Sequence, residues 1–445
     1  MGMEDSISNN YYRDLKQYLI NDICLINENS LSKQDEFDYI YYLDTGNLTE
    51  GVISKLPKLV KGEDKIPSRA KRIVKANDIL ISTVRPNQEH YGIIKNPVKN
   101  MIASTGFAVL SPNMNTVDPE YLYRFLTQEQ ITKLLHNIAE SSTSAYPSIK
   151  PGVIGSLKIS LPPFPEQKAI ANFLSTLDEK IETNNQINKT LEEMAQAIFK
   201  HWFVDFEFPN EEGKPYKSSG GKMVESELGL IPNGWEVKLL KDIASMKNGV
   251  NYRRNQEGTT VKVVNVRDFD GSTLVNDKRL DEIKLPEKQL ADYKLARFDT
   301  LVVRSAKPGE TLLVMQETNK VYSGFTIRVR SEDHTLKIYT YYCINNALEM
   351  LINSSNGTVF KNLNQQILGS LKIMIPEDRI IKAYNNFVLS VLEDINLIIK
   401  ENERIKSIRD TLLPKLMSGE IRVPLDLNGE EEVEKFVKES AVHSN

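Results

Sequence analysis

Cysteine is nearly missing from this chain. There are two in 445 residues, Cys24 and Cys343, far apart and outside any CxxC spacing. That usage excludes a disulfide-stapled secreted scaffold and reads as two reduced, buried thiols in a cytoplasmic protein. Histidine is scarce too: the five residues are scattered, none at metal-ligand spacing, so no metal site is expected. No run of 18 or more apolar residues offers a membrane span. The polar, acidic start MGMEDSISNNYYRD has no signal-peptide core. Gly2 and Ser6 fit a myristoylation pattern, but Met1-Gly2 reads better as a cloning scar ahead of Met3.

Catalytic motifs are missing as well. No GxxxxGK[ST] occurs, and SSGGKM around Lys222 lacks both the first glycine and the hydroxyl, so it reads as flexible linker. GxSxG and HExxH are not found. SLPPF (Ser160–Phe164) puts Leu161 where an amino-methyltransferase needs a polar side chain, and no Gly-rich turn for an adenosyl cofactor accompanies it. The stretch reads instead as a polyproline break before a helix. The chain is therefore expected to be non-catalytic, with no cofactor of its own. Its net charge of −4 and pI near 5.9 argue against coating nucleic acid by charge alone, but leave room for local basic loops in a groove.

What is present is a repetition. VIGSLKISLP (Val153–Pro162) returns as ILGSLKIMIP (Ile367–Pro376), 214 residues on. NDILISTVRP (Asn77–Pro86) matches FDTLVVRSAKP (Phe298–Pro308), and STGFAVLSP (Ser104–Pro112) matches YSGFTIRVRS (Tyr322–Ser331). PEYLYRFLTQEQITKLLHNIA (Pro119–Ala139) matches KIYTYYCINNALEMLINSS (Lys337–Ser355), both with apolar residues at helical spacing. NGWEVKLLKDIA (Asn233–Ala244) opens the second unit, and YLINDICLI (Tyr18–Ile26) is its fainter partner. Four matches in one order at nearly one offset imply a tandem duplication of a mixed α/β domain of roughly 150 residues.

Each GSLKI copy leads through prolines into a long helical pattern. In the first, Leu174, Leu177, Ile181, Asn184, Ile187, Leu191, Met194 and Ile198 recur at steps of three and four. In the second, Val388, Leu392, Ile395, Ile399, Asn402, Ile405, Leu412 and Leu416 follow the same spacing, with one step of seven between Ile405 and Leu412. Both read as narrow coiled-coil seams. Lys168 to Trp202 would span about 52 Å. Asn184 and Asn402 interrupt equivalent places, where a polar residue costs stability but fixes register. If the helices pack antiparallel about a pseudo-two-fold axis, these asparagines meet and hydrogen-bond.

Three stretches carry a family resemblance: ISLPPFPEQKAIANFLSTLDEKI, AIFKHWFVDFEFP followed by ESELGLIPNGWEVKLLKDIA, and LLPKLMSGEI. The chain resembles the specificity (DNA-recognition) subunit of type I restriction–modification enzymes. The resemblance implies an α/β (α+β) chain of two target recognition domains joined by two long antiparallel helices. On that reading residues 1–164 form the first recognition domain and 165–208 the central spacer helix. Residues 209–376 form the second recognition domain, with 209–230 as a linker at its start. Residues 377–425 are the C-terminal spacer helix and 426–445 an acidic tail. The family further implies double-stranded DNA as ligand and two copies of an adenine methyltransferase subunit as partners. S-adenosylmethionine then sits on those partners, and restriction subunits can join. Each head reads one half of a split site, and the helices set the gap. The alternative is a coiled-coil scaffold binding proteins or glycans with no DNA role.

Base reading needs donors and acceptors on exposed loops. Ahead of the first GSLKI lie Ser142, Thr143, Ser144, Tyr146, Ser148 and Lys150; ahead of the second lie Asn356, Thr358, Lys361, Asn362 and Asn364. The strand-end loops add Thr83, Arg85, Gln88 and His90, then Arg304, Ser305 and Lys307. NGVNYRRNQ adds Asn251, Arg253 and Arg254. The aromatic FKHWFVDFEF (Phe199–Phe208) is expected either to pack on its own head or to seat the methyltransferase.

Overall fold

The computed structural model describes residues 15–32, 35, 37–141, 147–253, 256–316, 319–354 and 363–424. The chain divides into two compact units, residues 1–180 with 405–445, and residues 181–404. The first long helix is Phe164–Phe203 and the second Asp378–Ser418, and each contributes one segment to each unit.

In the first unit, Lys16–Leu19 pairs antiparallel with Lys158–Leu161, tying the head's first strand to its last. An antiparallel sheet follows in the order Cys24–Ile26, Phe107–Pro112, Asp78–Ser82, Tyr91–Ile94. A second sheet runs Lys58–Val60, Tyr39–Leu43, Met101–Ser104, Ala70–Ile73, with its central pair parallel. The second unit repeats most of this arrangement. Glu236–Leu239 pairs with Lys372–Ile375, and the main sheet runs Ala244–Asn248, Thr326–Ser331, Thr300–Val303, Thr311–Leu313. Its second sheet is Asp281–Leu285, Thr259–Val264, Lys320–Tyr322, again with one parallel pair. Among the described residues it has no counterpart to Ala70–Ile73.

The GSLKI stretch sits at the closing joint of each head. A short helix, Pro151–Gly155 or Gln365–Gly369, ends on the glycine, and Lys158–Leu161 or Lys372–Ile375 begins three residues on. Alternation sends Ile159 and Ile373 into the cores. A Cβ on Gly155 would fall 2.2 Å from Asn21 Oδ1, so a larger residue at the joint must push the Asn21 side chain aside.

A second shared device precedes the central strand. Asp78 accepts the Lys75 N–H at 2.7 Å, and Asp299 accepts the Ala296 N–H at 2.7 Å. Each follows a residue in the left-handed region, Asn77 (φ 67°) and Phe298 (φ 65°). Asparagine adopts that backbone readily and phenylalanine does not, so the second copy carries strain that its hydrogen bonds must hold. Asp78 is buried against the Ser111 hydroxyl (2.6 Å), and burial pushes its carboxyl above the usual value of 3.8.

Two elements depart from expectation. The pattern over Pro119–Ala139 is two helices, Pro119–Leu126 and Glu129–Glu140, because Gln128 is extended (ψ 141°) and Thr127 turns its hydroxyl back onto the Tyr123 carbonyl at 2.9 Å. Residues 209–230 are no flexible linker. Phe208 stacks on Tyr216 (4.6 Å) and Trp235 (5.2 Å), Tyr216 donates to the Lys222 carbonyl at 2.7 Å, and Met223–Ser226 pairs with Gly229–Pro232.

Within each unit the long helices run antiparallel. In the first, Asp178 accepts from Arg409 Nη1 at 2.7 Å and Glu166 lies 3.7 Å from Arg422. In the second, Asn184 faces Asn402, and Phe203 meets Tyr384 at 4.9 Å between ring centroids. The seam is narrow only around the asparagines. Toward the helix start, Ile170, Phe173, Leu174 and Leu177 widen it into a head core, and Ala195, Phe199 and Phe203 do the same at the other end. Ile187 and Met194, expected on the seam, are 43% and 46% exposed. At 100° per residue, two successive steps of three leave Ile187 about 120° from Ile181, so the buried stripe steps by four instead.

Asn184 Nδ2 donates to Asn402 Oδ1 at 2.8 Å and to Glu401 Oε2 at 2.8 Å; Asn402 Nδ2 donates to Asn185 Oδ1 at 3.0 Å. Both asparagines are buried. Asn184→Leu leaves the Asn402 carbonyl oxygen unmatched, an expected loss of about 1–3 kcal/mol. Asn184→Leu with Asn402→Leu should lose less than the two single changes together, since it leaves an apolar seam. Denaturant unfolding of the full double-mutant cycle measures that coupling.

Candidate nucleic-acid interface

In each head, the strand-end loop and the loop before GSLKI are laced together by backbone hydrogen bonds. In the first head Ile149 N donates to Thr83 O at 2.9 Å, Arg85 N donates to Pro147 O at 2.9 Å, and Val84 bridges Ser148. In the second, Leu363 N donates to Arg304 O at 2.8 Å. The turn after the next strand joins each cluster: Thr83 N donates to Gly106 O at 2.8 Å, and Arg304 N to Phe325 O at 3.0 Å.

The structure sorts the first head's candidates. Arg85, Gln88 and Lys150 are exposed and Ser148 is half-buried, so these four can face a ligand. Arg85 sits at φ 47°, opening the short turn Pro86–Gln88. Thr83 is buried and its hydroxyl donates to Gly106 O at 2.9 Å, which leaves it no hydrogen to offer a base. His90 turns away, with Nδ1 3.0 Å from Thr49 Oγ1 and 2.9 Å from Leu48 O. Beside it lies Glu89, whose carboxyl is raised by burial and by the neighbouring Glu50. Ser142, Thr143, Ser144 and Tyr146 lie outside the described residues.

In the second head, Asn251 and Arg253 are exposed and lie next to the turn at Ser323–Phe325, where Val250 bridges Ser323 and Gly324 N donates to Val250 O at 2.8 Å. Arg304 and Ser305 are half-buried in the same cluster. Asn364 is exposed but caps the helix Gln365–Gly369, accepting from Ile367 N at 2.9 Å. Lys307 donates to Phe269 O at 3.3 Å and lies 3.4 Å from Glu310. It borders a cavity of about 730 Å³ that Glu192, Glu193, Glu310 and Glu349 also line, a poor place for phosphate. Arg254, Asn356, Thr358, Lys361 and Asn362 lie outside the described residues.

Two features escaped the sequence reading. Phe325 is 62% exposed at the centre of the second cluster, an apolar surface among polar loops. In the first head, residues 54–75 hold eight lysines and arginines against two acids. The signal for the second was plain charge counting.

The aromatic FKHWFVDFEF belongs to the second unit's own core: Phe199, Phe203 and Phe208 are buried, and Phe203 meets Tyr339 at 4.8 Å and Trp235 at 5.9 Å. Cys24 and Cys343 are buried and free, with burial pushing each thiol up to about 12, so neither is a nucleophile at neutral pH. Among the described residues no group of three or more His, Cys, Asp or Glu could hold a metal, and no helix is long and apolar enough to cross a membrane.

The model described as "Type I restriction modification DNA specificity domain" matches twice, over residues 12–193 and 232–407. The type I restriction enzyme HindI specificity subunit of Haemophilus influenzae is 26% identical, covering 92% of this chain and 100% of that protein. The MjaIX specificity subunit of Methanocaldococcus jannaschii is 29% identical, covering 92% of this chain and 89% of that one. Among solved structures, the S subunit of a type I restriction–modification system from M. genitalium overlays with a TM-score of 0.47 at 13% identity, covering 90% of this chain and 96% of that one.

Proposed function

The chain belongs to the family of type I restriction–modification DNA specificity subunits, and we propose that its two heads read the two halves of a split, asymmetric duplex site. One observation carries this reading. The heads share their strands, their closing joint and their aspartate turn, while the loops gathered at the ends of those strands differ residue by residue. A common frame presenting unlike side chains suits two unlike half-sites on one duplex.

The subunit does no chemistry itself on this reading. Methyl transfer to adenine belongs to two docked methyltransferase subunits that carry the S-adenosylmethionine, and restriction subunits can join them. The paired long helices hold the spacing between half-sites, with Asn184 and Asn402 fixing their register.

The test is to co-express the chain with its adenine methyltransferase partner and sequence the methylated adenines. A two-part motif with a fixed gap is expected. Exchanging residues 142–150 for those of a relative with another specificity should change one half of that motif. A continuous motif, or two halves that change together, would refute the reading.

A further inference from the structure

We propose that the two heads divide DNA binding unequally, the first supplying most of the phosphate grip through a basic strip that the second lacks. This deepens the DNA reading above and rests on it.

The strip begins on the edge strand Lys58–Val60 and ends just past the opposite edge strand, Ala70–Ile73, the strand without a counterpart among the described residues of the second head. Lys58, Lys61, Lys65, Arg69 and Lys71 are exposed. Among the described residues, none of the eight cations in residues 54–75 forms an ion pair. Lys58 instead lies over the Tyr39 ring at 4.3 Å, and Tyr41 packs edge-on to Tyr39 at 5.9 Å, interleaving cations with aromatics. Lysines whose charge is not spent internally are the groups that displace counterions from a duplex.

The strip also touches the reading loops. Thr105 N donates to Arg69 O at 2.8 Å, and the Arg69 guanidinium lies so close to Gly106 that a Cβ there would fall 2.6 Å from its Nη2. Gly106 O in turn accepts from Thr83 N, which opens the strand-end loop. Phosphate contacts along the strip would therefore set the register of the loops that face bases.

In the second head the counterpart of Lys58–Val60 is Asp281–Leu285, and residues 259–288, which carry that strand and its neighbour Thr259–Val264, hold six cations and six acids. Several of these charges are already used. Arg279 pairs with Asp270 at 2.7 Å, Arg267 with Asp281, and Lys262 donates to the Asp277 carbonyl at 2.7 Å. Buried Lys320 meets the Asp277 carboxylate at 2.5 Å. Of these six cations Lys278, Lys284 and Lys288 form no ion pair among the described residues, against eight in the first head, and they lie among six acids.

The experiment uses the full-length chain and a 40-base-pair duplex of mixed sequence, with fluorescence anisotropy from low to moderate salt. One variant carries Lys58→Gln, Lys61→Gln, Lys65→Gln and Lys71→Gln. The matched variant carries Lys278→Gln, Arg279→Gln, Lys284→Gln and Lys288→Gln, all exposed. The first set should flatten the dependence of log affinity on log salt by roughly 2–4, close to one for each phosphate no longer neutralised. The second set should change it by less than about one. Lysine-to-arginine versions of the first set should restore the slope, which separates lost charge from lost folding. Equal flattening by both sets, or none by the first, overturns the division of labour while leaving DNA recognition in place. A wild-type chain that binds no duplex at any salt overturns the DNA reading, and this inference with it.

Discussion

Asp299→Ala should destabilise the second unit by about 3 kcal/mol, the largest stability effect expected of one polar substitution here. Asp299 is fully buried and accepts from Arg330 Nε at 2.6 Å and Nη2 at 2.5 Å, a two-pronged pair, while also holding the Ala296 N–H. Removing the carboxylate strands the Arg330 guanidinium beside an apolar core and frees the strained turn at Phe298. Breaking a buried pair by deleting one partner costs roughly 3–5 kcal/mol, and the lower end applies because Arg330 keeps part of its hydration. Hydrogen exchange should speed up in Thr300–Val303 and Thr326–Ser331 and stay unchanged in Asp78–Ser82.

The same position in the first head should respond in the opposite sense. Asp78 faces Ser111 rather than an arginine, and burial raises its carboxyl pKa. A raised folded-state pKa means that the folded chain binds more protons than the unfolded one. The stability this group adds is therefore fully present below about 3.8 and falls as pH climbs through the raised value. Asp78→Asn keeps an acceptor for the Lys75 N–H and can donate to Ser111. It should leave stability at neutral pH equal or higher, and weaken its pH dependence in the acid range. Thermal melts from pH 4 to 7 read this directly. Loss of stability at pH 7 matching that of Asp299→Ala would show that charge at Asp78 is needed after all.

Much of this architecture was legible because its determinants are local and repeated. GSLKI reads as a strand from its alternation, and its duplication marks the joint. Asn184 and Asn402 stand out because both interrupt an apolar stripe at the same place. Ile187 and Met194 were misplaced because spacing by threes looks regular along the sequence, while the helix turns 100° per residue. The strand Ala70–Ile73 was hidden because it buries Ala70 alone, so no alternating pattern announces it. Phe325 was hidden by register. In sequence its GF pair aligns with Gly106-Phe107, but the ladders put Gly106 opposite Thr83 and Phe325 opposite Arg304. A shift of one residue turns a side chain to the other face, so Phe107 is core and Phe325 is exposed. The meeting of distant loops, as at Leu363 and Arg304, is tertiary and has no sequence period to reveal it.

The largest functional effect should come from Gly249→Ala. Gly249 directly follows the strand Ala244–Asn248, which delivers Asn251 and Arg253 to the second cluster. A Cβ there would fall 2.2 Å from the Ser323 carbonyl oxygen and 2.4 Å from that of Tyr322. Both are backbone atoms inside a hydrogen-bonded turn, so no side chain can swing aside to make room. The strand end must shift, which opens the Val250–Ser323 bridge and displaces both side chains together. Gly324→Ala is the informative companion. Its Cβ would clash only with the Asn251 side chain, at 2.2 Å from Oδ1, so it disturbs one reader and spares the backbone. With the methyltransferase partner, Gly249→Ala should cut specific duplex binding at least tenfold, about 1.4 kcal/mol, and blur the whole second half of the methylated motif. Gly324→Ala should relax the motif at a single position, since one good side-chain contact to a base is worth roughly 1–3 kcal/mol of discrimination. In both variants the first half of the motif should stay sharp, because its head is untouched. A motif unchanged in Gly249→Ala would remove Asn251 and Arg253 from the reading surface and leave Arg304 and Phe325 as the second head's contacts.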